Sequence, residues 1–268
     1  MWKISGNGLK EDSYILLTTT NLCKSTPLNS KMVAALNSVK YICYEQSSRD
    51  PKNKSKLQAL GMVNSEKQSA KNNMSSSVYS NLVDIASEAG LDENTVNMIK
   101  PVFLFKIIIN NSIVDCNTSS TKVYENYVRE YANKKAIKQG ELFGLEEYTK
   151  LFDGYDKAFW DKSIGFLLNN RDKMQTDLEA KEIFYAQENV HGLTSLCITN
   201  GYLNARYGYP EIENAKMKLS STRIDAIVKN QSTLFLIDFM SVANPKSSLF
   251  TFLNKLGYEL TPVSNNNL

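Results

Sequence analysis

The stretch "SYILLTTTNLC", residues 13–23, decides the fold. A continuous apolar run, Tyr14 to Leu17, ends in three β-branched threonines, the pattern of a strand buried on both faces. Downstream, "LNSKMVAALNSV" (28–39) places Met32, Val33, Leu36 and Val39 at helical spacing, with Asn29 or Ser30 available as the N-cap. "KYICYEQ" (40–46) is a second short strand ending in Glu45. Strand, helix and strand within about thirty residues make a βαβ unit, whose crossover favours a parallel pair.

The far end of the chain repeats this logic. "STLFLIDFM" (232–240) is a strand, "SSLFTFLNKLG" (247–257) a helix and "YELTPV" (258–263) a closing strand. Between the two ends, residues 77–228 carry mostly helical spacing, interrupted by a short strand and helix start in "KQGELFGLEEYTKLFDG" (138–154). The polar segment 47–76 is predicted to be a mobile connection with a helical patch near Leu57–Leu60. The fold class predicted is α/β. It is a single domain with a mixed, largely parallel sheet, built from N- and C-terminal βαβ units around a helical insertion at about 77–228.

Composition narrows the function classes. The net charge of +3 comes from 31 basic and 28 acidic residues dispersed along 268 positions, which is no nucleic-acid footprint. No apolar run approaches the roughly 18–20 residues of a membrane span. Cys23, Cys43, Cys116 and Cys197 show neither CxxC pairs nor zinc spacing, so they read as free thiols. The opening "MWKISGNGLK" lacks a secretory pattern. The protein is therefore expected in the cytoplasm, or in the periplasm or cell envelope if a signal peptide was trimmed.

In open α/β sheets, sites form at the carboxyl ends of strands. Four such ends are visible: Thr18–Asn21, Glu45, Glu146 and Asp238–Val242. A threonine nucleophile among Thr18, Thr19 and Thr20 would need a positioned base, and none is evident. Asp238 within "LFLIDFM" must be paired, protonated or close to solvent. His191, the one histidine, is placed on a helix of the insertion, away from the strand ends. Tyr202, Tyr207 and Tyr209 beside Arg206 read as a helix end and turn before they read as a ligand shelf.

Several segments resemble one family in the correct order. "WKISGNGLKEDSYILLTTTNLC" is similar to the opening of the TraB/PrgY/GumN family in its Bacteroidetes GumN-like form, approximately WKISGNGLKKPSYLFGTIHLIC. "YICYEQSSRDP", "GLEEYTKLFDG" and "LFLIDFMSVANPKSSLFTFLNKLGYELTPV" resemble its later segments. The resemblance implies a relation to Tiki-type metalloproteases and to erythromycin-esterase- and ChaN-like folds. It also implies a divalent metal held by two Gly-x-x-His motifs, acidic residues and an arginine.

Here both motifs are altered. Leu17-Thr18-Thr19-Thr20 stands at the first, with Thr20 in the histidine position, and Phe239-Met240-Ser241-Val242 at the second, with Val242 there. Glu45 and Glu146 keep the matching acidic positions, and Arg223 is the candidate for the arginine. The expectation is a catalytically degenerate scaffold that has lost its metal-hydrolase centre, needs no cofactor and binds a peptide or protein partner in the old cleft. The rival expectation is an active hydrolase with a carboxylate-only site (Glu45, Glu146, Asp238) or a site completed by a second chain. A third is a chain that acts through surface contacts alone.

Overall fold

The structure is a computed structural model that describes residues 1–19, 22, 24–46, 53–112, 123–152, 154–199, 210–244 and 247–264. The chain opens with β1 (Trp2–Gly6) and β2 (Ser13–Thr18), then α1 (Ser30–Ser38) and β3 (Tyr41–Tyr44). A helical run follows: α2 (Lys54–Gly61), α3 (Ser76–Glu88), α4 (Glu93–Asn97), α5 (Pro101–Ser112) and α6 (Tyr124–Lys135). β4 (Lys138–Glu141) interrupts it before α7 (Leu145–Lys150), α8 (Lys157–Asn169), α9 (Arg171–Ala186), α10 (Val190–Thr199) and α11 (Pro210–Val228). The chain returns through β5 (Thr233–Asp238), α12 (Met240–Ala243), α13 (Leu249–Lys255) and β6 (Tyr258–Pro262).

The six strands form one mixed sheet in the order β4-β3-β5-β2-β1-β6. β5 runs parallel to both β2 and β3, and β3 runs parallel to β4, so four neighbouring strands end on the same side. All six residues of β2 and five of the six in β5 are buried, which is why their sequences are unbroken apolar runs. The α/β class and the largely parallel sheet agree with the reading of the sequence. The crossovers differ from simple βαβ neighbours. β5 lies between β2 and β3, and two strands, β2 and β1, separate β5 from β6.

β1, absent from that reading, is the antiparallel partner of both β2 and β6. Its signal is the Gly6-Asn7-Gly8 turn, in which all three residues have positive φ, at 81°, 47° and 74°. The Leu9 N–H closes the turn on the Gly6 carbonyl at 3.0 Å. A Cβ on Gly6 would meet the Gly257 carbonyl oxygen at 3.3 Å, whereas one on Gly8 would meet nothing within 4 Å. Both Gly→Ala changes incur about 1–2 kcal/mol for left-handed backbone. Gly6→Ala adds the contact with Gly257, so urea unfolding should rank it as the more destabilising of the two.

Two hydrophobic clusters fill the molecule. The larger surrounds the sheet, with Ile4, Ile15, Leu36, Ile42, Phe235 and Leu249 fully buried. The smaller belongs to the helical middle, where Met74, Leu82, Leu104, Trp160 and Ile164 pack together. Ala70 and Met74 are fully buried there, which corrects the expectation of a solvated connection over 47–76. Its described part forms α2 and a 3-10 turn, Glu66–Gln68, and docks on the insertion; residues 47–52 lie outside the described residues.

Candidate functional site

The parallel strands deliver Thr18, Glu45 and Asp238 to one end of the sheet. Register pairs Thr18 with Asp238, and Glu45 follows β3 directly with its N–H on the Leu236 carbonyl at 2.8 Å. The Glu45 side chain is buried and fully engaged. The Lys216 Nζ lies 2.9 Å from its Oε1, the Ser241 hydroxyl donates to Oε1 at 3.1 Å, and the Asp238 N–H donates to Oε2 at 2.9 Å. Lys216, on α11, is equally buried and stands 5.4 Å from the ring centre of Tyr148.

The other anticipated positions diverge from this cluster. Asp238 is half-buried and turns back to accept the Met240 N–H at 2.8 Å, starting α12. Val242 is half-buried within α12, where it packs on the main core. Thr20 lies outside the described residues. Glu146 is exposed in the first turn of α7 and pairs with Lys150 at 3.0 Å, and that bond holds its carboxyl below the usual carboxylate range.

Leu17 and Phe239, which stand at the glycine positions of the resemblance, are both buried. Tyr185 donates its hydroxyl to the Leu17 carbonyl at 3.0 Å, and the Phe239 N–H donates to the Thr18 carbonyl at 2.9 Å. The two side chains therefore belong to the packed interior.

Glu147, the residue after Glu146, is the one that reaches Arg223. Its carboxylate meets Arg223 at 2.6 and 2.9 Å, and Arg223 also donates to the Leu142 carbonyl and lies 4.9 Å from the Phe143 ring centre. The hydrogen bonds from Arg223 lower the Glu147 pKa, and the same bonds raise that of Arg223. Arg223 is thereby spent on the end of β4.

His191 is exposed on the first turn of α10, although that helix packs against α12 and so lies nearer the strand ends than expected. Cys43 is buried in β3, and burial pushes its thiol up to about 12, so it carries no reactive thiolate. Cys23, Cys116, Tyr202, Arg206, Tyr207 and Tyr209 lie outside the described residues.

The arrangement fits a divalent metal poorly. Among the described residues no group of three His, Cys, Asp or Glu side chains is placed to hold one. The buried Glu45 carboxylate at the strand ends already faces an ammonium, and Val242 offers no lone pair. Among the described residues no helix is long and apolar enough to cross a membrane.

Fold and site together define an α/β protein with an open, mostly parallel sheet whose carboxyl-end carboxylate is closed by a lysine. The TraB/PrgY/gumN family profile matches residues 1–262, and the chain belongs to that family. Neither a curated protein nor a solved structure matches it.

Proposed function

We propose that this chain is a catalytically degenerate member of the family, a binding or regulatory scaffold that takes a peptide or protein partner at the strand ends. One observation carries the reading: the buried Glu45 carboxylate at the strand ends is already paired with the Lys216 ammonium, at 2.9 Å. A fixed ammonium supplies the positive charge a buried carboxylate requires, but it has no open coordination position and cannot activate a water. Ser241 and the Asp238 N–H take up the carboxylate's further acceptor positions. The carboxylate-only hydrolase would need Glu45, Glu146 and Asp238 to converge. The pairing of Glu146 with Lys150 on the exposed face and of Asp238 with the Met240 N–H counts against it.

Elemental analysis of the purified protein, with calorimetric titration of Zn²⁺, Mn²⁺ and Co²⁺, tests the proposal. The expected result is no stoichiometric metal and no hydrolysis of peptide or ester substrates. A one-to-one metal that disappears on Glu45→Ala would overturn it.

A further inference from the structure

A cavity of about 210 Å³ opens in the helical middle, and its lining shares no residue with the Glu45 cluster. It is bounded by Lys67 and Gln68 of the 3-10 turn, by the start of α5, and by the aromatic side chains of Phe152 and Trp160. Lys100 lines the cavity at 8% exposure, and among the described residues no carboxylate, carbonyl or ring is paired with its ammonium. The buried stem leaves the ammonium, which is not itself a buried orphan, open to water or to an anion in the cavity. No acidic side chain lines the cavity to pair with it.

Two further features point the same way. Trp160 is 5% exposed, its ring packs on Phe159 at 4.9 Å, and its indole N–H has no acceptor among the described residues. The twelve-residue helix α5 begins at Pro101, directly after Lys100, so its positive dipole end lies at the same wall, although the Phe103 and Leu104 N–H groups already donate to the Lys100 carbonyl. Lys67, exposed at the rim, adds a second positive charge. Backbone bonding fixes the arrangement: the Lys100 N–H donates to the Gly61 carbonyl at 2.8 Å.

We propose that this cavity binds a small aromatic carboxylate. The carboxylate takes the Lys100 ammonium and the Trp160 indole N–H as donors, one for each oxygen. The ring rests against Pro101, Val102 and Phe152, an apolar wall for which an inorganic anion has no use. The volume lies below the roughly 300–1,000 Å³ of most ligand pockets, so the occupant is a single-ring molecule rather than a peptide. The site stands independently of any partner at the strand ends.

Trp160 is the reporter. The chain has two tryptophans, and Trp2→Phe leaves Trp160 as the sole emitter. Titration of that full-length protein with benzoate, phenyl phosphate and inorganic phosphate, followed by fluorescence and calorimetry, should show saturable one-to-one binding of benzoate. Lys100→Gln should weaken it at least tenfold, the scale of one charge-assisted hydrogen bond, and Lys67→Gln by less. Lys100→Met removes the charge and keeps an apolar stem, so its melting temperature should stay close to that of the parent. Benzoate should raise the parent's melting temperature and leave that of Lys100→Met unmoved. Absence of saturation, benzoate binding unchanged in both Lys100 variants, or inorganic phosphate binding that benzoate does not displace would each overturn the proposal.

Discussion

Glu45→Ala is expected to destabilise the protein by about 3–5 kcal/mol, the cost of leaving a buried charge without its partner. Lys216 would keep its ammonium in a site where it is only 5% exposed, and the Ser241 hydroxyl and Asp238 N–H would lose their acceptor. Lys216→Met should cost a similar amount by leaving the Glu45 carboxylate opposite a thioether. The double variant Glu45→Gln/Lys216→Met should recover most of the loss. Its glutamine oxygen still accepts from the Asp238 N–H, and no uncompensated charge remains. Urea unfolding with an unchanged slope would give these values and that of Glu45→Gln alone, which closes the cycle with Lys216→Met and the double variant. Strict additivity would show that the two charges do not depend on each other, contrary to a separation of 2.9 Å.

That pair also marks where the sequence stops being legible. β2 and β5 announce themselves because strands covered on both faces must be apolar throughout, and "YILL" and "LFLI" are so. β1 is short and only its Ile4 is buried, so periodicity is weak and the Gly-Asn-Gly turn is the better signal. Lys216 carries no local mark at all. It sits in "ENAKMKLSSTRID", where a lysine at 216 and another at 218 look alike, yet the first is buried and the second exposed. Only the tertiary placement of α11 against the strand ends separates them. Glu146 and Glu147 present the same difficulty in miniature. Consecutive helical residues project about 100° apart, so one faces Arg223 and the other faces solvent. A motif match picks the position, but the helix phase decides which carboxylate reaches Arg223.

The same geometry predicts what rebuilding the centre requires. Histidines restored at both altered motifs, Thr20→His with Val242→His, supply two imidazoles but leave Lys216 on Glu45. A cation entering there would meet a fixed ammonium, a repulsion of about 4 kcal/mol per unit charge at 4 Å in an effective dielectric of 20. It would also have to displace Lys216 from a carboxylate at 2.9 Å. The double-histidine protein should therefore bind Zn²⁺ weakly. Adding Lys216→Ala returns the Glu45 carboxylate to the site and removes the repulsion, so affinity should rise at least a hundredfold, which needs only about 2.7 kcal/mol of that effect. Lys216→Ala alone, with no imidazole added, should bind hard cations such as Mg²⁺ weakly and Zn²⁺ no better. Calorimetry on the series decides between these outcomes. Tight one-to-one Zn²⁺ binding by the double-histidine protein with Lys216 intact would show that the missing imidazoles alone, and not the lysine, keep metal out of this sheet.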